Sequence, residues 1–187
     1  MLNVIADDYV KWRPYVSGDI LCDRFPLDLW HEIAGDIHSD KEWEDFVLNY
    51  GNSIKCWVLE RLCKNAPIAF IYAFNEDGNW QKVSIHGGGW ESPLMHYRGY
   101  ILMIKHLLDQ GHKVRTYCQL SNAAAIRFDR SVGFVPYRYT EEEVFMWISS
   151  KRLENSKLYK WFYNENPRSN FLAEASVRRH KGKAKDF

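Results

Sequence analysis

Hydrophobic and polar positions follow two different periods along this chain, and the two periods predict a mixture of helices and strands. Segments 27–37 and 41–50 carry apolar residues at helical spacing, which predicts two short helices joined by a tight turn. Segments 53–61 and 67–74 are instead rich in Val, Ile, Trp, Tyr and Phe, which favour strands. Residues 75–79 supply turn chemistry, so we expect these strands to lead into a hairpin.

The second half of the chain alternates between strand and helix patterns. The elements predicted there are a strand from Trp80 through His86, a helix from Tyr97 to Leu108, a strand from Lys113 to Leu120, a helix that runs to about Val132 and ends at Gly133, strands Phe134 to Tyr139 and Val144 to Ile148, and a helix from Ser150 to Tyr163. A helix between two strands forms a crossover, which places the strands parallel. The order therefore predicts a mixed α/β or α+β fold.

The composition is that of one globular unit. The chain has 187 residues, of which 46% are hydrophobic and 26% charged, so a packed core is expected and disordered, collagen-like and coiled-coil classes are excluded. Aromatic residues make up 16%, so large rings must supply much of the core or line a groove. No internal repeat and no Pro/Gly/Ser-rich linker separates two domains. We expect one domain over residues 1–150 and a basic C-terminal helix and tail over residues 151–187.

Charge is distributed unevenly. Residues 151–187 hold ten Lys or Arg against four Asp or Glu, a net +6, so with +1 overall residues 1–150 carry −5. A basic tail is able to meet nucleic acid or an acidic partner, although such tails are more often solubilising extensions.

Several classes of site and location are excluded by pattern. The longest apolar run, residues 68–74, has seven residues, whereas a membrane helix needs about 20. Residues 1–8 lack a basic region and soon turn acidic, so we expect a cytoplasmic protein with no membrane partner. Neither the histidines nor the cysteines show metal-ligand spacing, so no metal is predicted. The cysteines are expected to be reduced, buried apolar residues: Cys22, Cys56, Cys63 and Cys118.

One segment carries the pattern that points most directly to a function. Asn122 is followed three residues later by Ala125, and Gly133 and Phe134 come after an apolar stretch at a fixed spacing. This segment resembles the GNAT N-acetyltransferase superfamily, in which the same residues follow the strand after the cofactor helix. Asp129 stands where that family commonly has a Tyr that serves as general acid.

A second match lies upstream, where the family has a cofactor loop of the form Arg/Gln-x-x-Gly-x-Gly/Ala preceded by a Pro. Pro93 and Gly99 match this pattern, His96 replaces the Arg or Gln, and Ile101 replaces the second small residue. The resemblance implies acetyl-CoA as the co-substrate. The residues that it implies for binding are His96, Tyr97, Arg98, Gly99, Tyr100, Ile101, Asn122 and Phe128.

The physics of a helix N-terminus supports the same expectation. A helix that starts near Tyr97 leaves its first N–H groups without intrahelical partners, and its dipole favours an anion such as the pyrophosphate of coenzyme A. Arg98 and His96 add positive charge, and Gly99 lets a phosphate approach the backbone, although Ile101 crowds that approach. The alternative is an ordinary crossover helix with an ordinary glycine.

The resemblance further implies a central mixed sheet of about six to seven strands with flanking helices, in which two parallel strands splay to form an acyl-CoA slot. Residues 83–91 correspond to the strand beside the slot. His86 lies within this strand, where the family often places a base, and Glu91 at its end is the other candidate. An alkyl amine has a pKa of ~10.4 and must lose a proton before it attacks, which a His with a pKa of ~6.5 can accept. The alternative for His86 is a structural residue with a satisfied hydrogen bond.

The leaving thiolate needs a proton, and the sequence leaves its donor open. Asp129 can supply it only if its pKa is raised, and Tyr137 or Tyr139 are the alternatives. Backbone N–H groups near residues 87–89 can polarise the thioester carbonyl, as an oxyanion hole does.

Three functions remain compatible with these observations. The first is an N-acyltransferase, most simply an acetyltransferase, which acts as a monomer or homodimer on an amine-bearing small molecule or protein. The second is a GNAT-like domain that has lost activity and serves as a binding or structural module. The third is association with nucleic acid through a basic tail, alone or added to transferase activity. The tail residues concerned are Arg178, Arg179, Lys181, Lys183 and Lys185.

Overall fold

A computed structural model describes part of the chain in atomic detail. The residues described are 5–16, 39, 41, 42, 45, 54–63, 66–75, 81–89 and 93–164. The helices predicted over 27–37 and 41–50 lie outside these residues, except that positions 41, 42 and 45 are helical. The Ser39 hydroxyl accepts a hydrogen bond from the N–H of Glu42 at 3.2 Å, which is the contact of a helix N-cap.

The described residues form strands followed by alternating helices and strands. The strands are β1 (Ile5–Ala6), β2 (Val10–Pro14), β3 (Ile54–Arg61), β4 (Ala66–Asn75), β5 (Lys82–Gly89), β6 (Lys113–Gln119), β7 (Val135–Tyr139) and β8 (Glu143–Trp147). The helices are α1 (Pro93–Asp109), α2 (Ala123–Val132), α3 (Ser150–Asn155) and α4 (Lys157–Tyr159), and a π-helical turn (Lys160–Asn164) follows. None of these helices is both long and apolar enough to span a bilayer.

All eight strands belong to one sheet, in the order β1-β2-β3-β4-β5-β6-β8-β7. Neighbouring strands are antiparallel except β5 and β6, which α1 connects, so the predicted crossover and the mixed α/β class are confirmed. The sheet has more strands than the expected six to seven because β1 and β2 extend one edge. These two strands escape prediction because β1 has two residues and β2 alternates only briefly, with Val10 and Trp12 buried.

One face of the sheet packs against α1 and forms the main core. We call it the helix face, and the opposite face the second face. Fully buried residues on the helix face come from four strands and from α1: Leu59, Ile71, Ile85, Val114, Ile101 and Ile104. Because side chains alternate along a strand, the residues between them point to the second face.

Helix α1 begins earlier than the sequence pattern predicts. Its first residue is Pro93, not a residue near Tyr97, and Pro suits this position because the N–H it lacks has no role there. The N–H groups of residues 97–101 therefore lie inside the helix, where intrahelical bonds use them. Those without intrahelical partners belong to residues 94 and 95.

Gly99 allows α1 to pack closely on the sheet. A Cβ atom at this position would lie 2.7 Å from Cδ1 of Leu59 and closer still to Cδ2, and the Leu59 side chain is fully buried. The indole Nε1 of Trp12 donates a hydrogen bond to the Gly99 carbonyl oxygen at 2.7 Å. Gly99 therefore faces the sheet, where the missing side chain makes room for β3.

Helix α2 has well-defined ends that explain the matched sequence segment. The Asn122 side chain accepts a hydrogen bond from the N–H of Ala125 at 3.0 Å, so it caps the helix. Gly133 ends the helix with φ of 113°, and a Cβ there would lie 2.7 Å from the carbonyl oxygen of Arg152. Phe134 follows in the core with 1% exposure. Capping, a left-handed turn and burial thus account for the spacing.

Arg98 joins both ends of the described chain to α1. Its Nε donates to Oδ2 of Asp7 at 2.6 Å, and both side chains are largely buried. The guanidinium lies 4.4 Å from the ring centroid of Tyr9 and 5.3 Å from that of Tyr163, with Phe162 also near.

The single helix predicted over 150–163 is interrupted. Ser156 adopts an extended conformation that separates α3 from α4, and its side chain caps α4. Leu153 and Phe162 belong to the same buried cluster as the helix face. The domain boundary at residue 150 stays a prediction.

We expect Gly99→Ala to lower the free energy of unfolding by about 1–3 kcal/mol, because the new methyl group overlaps the buried Leu59 side chain. On an exposed helix surface the same change would instead stabilise by up to about 1 kcal/mol. Urea denaturation of the native chain and of Gly99→Ala measures the difference in the free energy of unfolding. In a Leu59→Ala background the penalty should shrink, and an equal penalty in both backgrounds would contradict this packing.

Candidate functional site

The parallel strands β5 and β6 pair briefly and then part. Residues 82–84 pair with residues 113–115, and no residue pair joins the two strands beyond that point. Each strand continues beside its other neighbour, β4 or β8. Among the described residues, no strand pairs with the facing edges, residues 85–89 and 116–119, so backbone N–H and C=O groups point into the opening. We call this opening the β5/β6 gap, and splayed parallel strands are the arrangement that the GNAT resemblance implies.

His86 fills the second face at the point where the strands part. Its ring centroid lies 4.2 Å from that of Tyr117 on β6, 5.5 Å from Tyr72 and 5.9 Å from Phe74. The Nε2 atom is buried and has no hydrogen-bond partner among the described residues. Burial lowers the pKa of His86 to about 3, so its ring is neutral near pH 7. The unperturbed value of ~6.5 assumed from the sequence does not hold here.

Asp129 lies behind the gap on the helix face. Its carboxylate is 4% exposed, and the Cys118 thiol donates to Oδ2 at 3.2 Å. Burial raises the pKa of Asp129 to about 7, whereas the hydrogen bond from Cys118 lowers it by less. The pKa of the Cys118 thiol is raised by burial and by this carboxylate, so the sulfur is a poor nucleophile.

Aromatic rings bridge α1 and α2 beside Asp129. The rings of Tyr97 and Phe128 stack with centroids 4.4 Å apart, and Tyr100 lies 5.2 Å from Phe128. His96 stacks on Phe128 at 6.2 Å, and burial lowers its pKa to about 4. His96 is therefore neutral near pH 7 and supplies no positive charge to a phosphate.

Three of the residues predicted to bind the cofactor make other contacts in the structure. Arg98 is paired with Asp7, Gly99 faces Leu59, and Ile101 is fully buried in the core. Ile101 therefore does not crowd the start of α1. Asn122 acts as the cap of α2.

The predicted catalytic residues fall on opposite faces of the sheet. His86 lies on the second face, whereas Asp129 contacts Cys118 on the helix face. Tyr137 and Tyr139 are exposed, and Tyr137 contacts Phe145 on the second face. Glu91 lies outside the described residues, as does the tail from residue 165 onward.

A cavity of about 410 Å³ opens on the second face, beside the aromatic rings that surround His86. Tyr117, which contacts the His86 ring, lines this cavity. The other lining residues important for its chemistry are Ser84, Arg115, Tyr137, Arg138 and Phe145.

The residues that β6 contributes to this site, Arg115 and Tyr117, were not identified from the sequence, although the strand pattern contains the information needed. Once β5 and β6 are taken as parallel neighbours, strand alternation places Arg115 and Tyr117 on the same face as Ser84 and His86. Because Ser84 pairs with Arg115, the side chains of His86 and Tyr117, two residues further along each strand, are also neighbours.

The cysteines follow the expectation only in part. Cys56 is buried and Cys118 half-buried, but Cys63 is exposed, because it stands in the turn after β3. Cys22 lies outside the described residues. Within the part of the chain that the structure describes, no three His, Cys, Asp or Glu side chains form a group able to hold a metal ion.

The fold is similar to that of solved N-acetyltransferases. A GCN5-related N-acetyltransferase from Brucella melitensis superposes with a TM-score of 0.66 at 12% identity, covering 88% of this chain and 87% of that one. Spermidine N-acetyltransferase from Vibrio cholerae, solved with CoA and spermine, gives 0.54 at 15% identity, covering 80% and 100%. An aminoglycoside acetyltransferase solved with coenzyme A and kanamycin gives 0.62 at 15% identity, covering 79% and 99%.

These likenesses confirm the GNAT resemblance at the level of the fold. No protein-family model and no curated protein sequence matches the chain. The chain therefore has the GNAT acetyltransferase fold, and its own chemistry has to be argued from its residues.

Asp129 predicts an unusual dependence of stability on pH. Because its folded pKa is raised from 3.8 to about 7, the unfolded chain releases this proton first, and stability falls as pH rises from about 4 to about 7. We expect Asp129→Asn to raise the free energy of unfolding at pH 8 by roughly 2–4 kcal/mol relative to the native chain, and by much less at pH 4.

Urea denaturation at the two pH values measures this difference. Glu142→Gln, which removes an exposed carboxylate in the turn before β8, is the matched control. A gain from Asp129→Asn that is equal at pH 4 and pH 8 would contradict the burial of an ionisable carboxyl.

Proposed function

We propose that the chain is an acyl-CoA-dependent N-acyltransferase, most simply an acetyltransferase, that transfers the acyl group directly to an amine. The observation that supports this most is the β5/β6 gap, which opens in a GNAT fold and has titratable groups on both faces. In the reaction a C–N bond forms and the thioester C–S bond breaks. The amine loses a proton and the departing sulfur gains one.

The free strand edges are the proposed binding site for the extended arm of acyl-CoA. This arm carries amide groups, which can pair with the unpaired backbone groups of residues 85–89 and 116–119 as an added strand would. The proposed place of the pyrophosphate is the first turn of α1, where the N–H groups of residues 94 and 95 lack helical partners. With His96 neutral and Arg98 paired with Asp7, main-chain groups supply most of the attraction there.

His86 is proposed to position the amine rather than to act as its strong base. Moving a proton from an alkylammonium with a pKa of ~10.4 to a ring with a pKa of about 3 is uphill by roughly 10 kcal/mol. The amine is therefore expected to lose its proton to solvent before it attacks. The unpartnered Nε2 of the neutral ring can then accept a hydrogen bond from the free amine.

Asp129 is the proposed acid for the leaving group. A pKa of about 7 keeps a large fraction of this carboxyl protonated near neutral pH, and a thiolate of pKa ~8.5 is a suitable acceptor. Tyr137 is the alternative donor: its ring is exposed and lies on the second face, as His86 does.

One observation favours the second candidate, an inactive binding module. The stack of Tyr97 on Phe128 joins α1 to α2 beside the predicted cofactor site, and rings 4.4 Å apart leave no space between them for a ligand. If this cluster closes the site, neither CoA binding nor acyl transfer follows. Association of the basic tail with nucleic acid stays a separate prediction.

Calorimetric titration separates the two candidates. We expect CoA and acetyl-CoA to bind, and pantetheine to compete with CoA, because the gap holds the arm through its amide groups. No heat of binding at millimolar CoA would remove the enzyme and favour the inactive module. Binding of CoA without competition from pantetheine would remove the β5/β6 gap as the binding site.

The pH dependence of acetyl transfer tests the two catalytic roles. For an alkyl amine, we expect kcat/KM to rise about tenfold per pH unit below pH 7 and to level off above it, because the free amine increases while protonated Asp129 decreases. Asp129→Asn should lower the rate and keep it rising to pH 9, whereas His86→Ala should lower it by 10- to 100-fold with the profile unchanged.

Glu142→Gln serves as the control and should match the native enzyme throughout. If His86→Ala abolished the plateau and Asp129→Asn kept it, the proposed roles would be reversed. If both variants kept the native rate, neither residue would belong to the active site.

A further inference from the structure

The cavity on the second face combines positive charge with aromatic walls. The Arg138 guanidinium lies 3.8 Å from the ring centroid of Phe145, and that of Arg115 lies 5.2 Å from Tyr137. A guanidinium stacked on a ring in this way, as Arg138 is, keeps its N–H edge available for an anion. Among the described residues that line this cavity, none is acidic, and no described carboxylate forms an ion pair with Arg138.

A β-bulge builds this wall of the cavity. Pro136 pairs with Met146 and Arg138 with Phe145, which leaves Tyr137 as the extra residue in β7. Consecutive strand residues normally point to opposite faces, but here both Tyr137 and Arg138 line the same cavity. The bulge thus aims an additional ring and a charge at one space.

The sheet register places this positive charge near the β5/β6 gap. Phe145, under Arg138, stands opposite Tyr117, and Tyr117 contacts His86. Arg115 lies two residues before Tyr117 on the same strand, which is roughly 7 Å away. A molecule with its amine at His86 therefore has the arginines within reach of a group a short chain away.

We propose that this cavity binds an anionic group of the acceptor, so that the acceptor is a short amine that also carries a carboxylate or a phosphate. This inference rests on the proposed function, since it assumes that the amine reaches His86. The two structurally similar enzymes solved with spermine and kanamycin hold acceptors with several positive charges and no anion. An arginine-lined cavity repels such polycations, so this chain differs from them in acceptor class.

Binding to the CoA-saturated protein tests the proposal with matched amines. The pairs are 4-aminobutyrate against butylamine for a carboxylate, and phosphoethanolamine against ethanolamine for a phosphate, with spermidine as the polycation. We expect at least one anionic member to bind tenfold or more tightly than the partner that lacks the anionic group in calorimetric titrations. Whichever pair shows the larger ratio identifies the anion.

Arg138→Gln should remove most of that ratio, whereas Arg138→Lys should keep part of it. Arg130→Gln, which removes an exposed arginine on α2 outside this cavity, is the control and should keep all of it. Thermal melts of the variants confirm that they fold, which is expected because Arg138 is exposed.

Equal binding within both pairs, tightest binding of spermidine, or an unchanged ratio in Arg138→Gln would each overturn the proposal. The same titrations on the CoA-free protein keep the two hypotheses apart. Loss of CoA binding would remove the transferase while leaving the preference for anions measurable.

Discussion

The parting of β5 from β6 is the constraint on which the rest of this site depends. Because β4 and β8 hold the outer edges of these strands, the divergence opens the sheet without loosening its two halves. The side chains at the opening then become the lining of a gap, with His86 and Tyr117 on one face and Asp129 and Cys118 on the other.

The gap also explains why its two titratable residues shift in opposite directions. Burial disfavours the charged form of each, so the pKa of His86 falls while that of Asp129 rises. Both side chains therefore tend toward neutrality near pH 7. A neutral lining suits a reaction between an uncharged amine and an uncharged thioester. The proposed charged contact with the substrate, Arg138, lies in the neighbouring cavity on the second face.

Much of the fold was predictable because local patterns encode it. The helix period and caps define α2, and the strand-helix-strand order implies the parallel pair that brackets α1. The strand that holds His86 was predicted from its residue pattern, and the gap beside that strand was implied by the resemblance to the GNAT family. What local pattern cannot carry is the direction of a side chain whose partner is distant. Arg98 turns to Asp7, which precedes it by 91 residues, and no periodicity near either residue reveals that pair.

Parts of the site that depend on contacts between residues distant in sequence were likewise not predicted. The sequence predicts that Gly99 lets a phosphate approach the backbone, but the structure shows that the neighbour of Gly99 is Leu59 of the sheet. A bulge at Tyr137 breaks the alternation of side chains along β7. The sequence pattern therefore does not predict that Tyr137 and Arg138 line the same cavity. The pKa of Asp129 depends on the burial that α2 and β6 create together.

The contacts of Arg98 have a consequence for how the chain folds during synthesis. Asp7 and Tyr9 are synthesised more than a hundred residues before Tyr163, and all three surround the guanidinium of Arg98. Contacts of such high sequence separation form late, because a long loop must close before they contribute. We therefore expect β1 and β2 to lack these contacts until the π-helical turn (Lys160–Asn164) has been synthesised. This edge of the sheet is then the part of the nascent chain that is most exposed to misassembly.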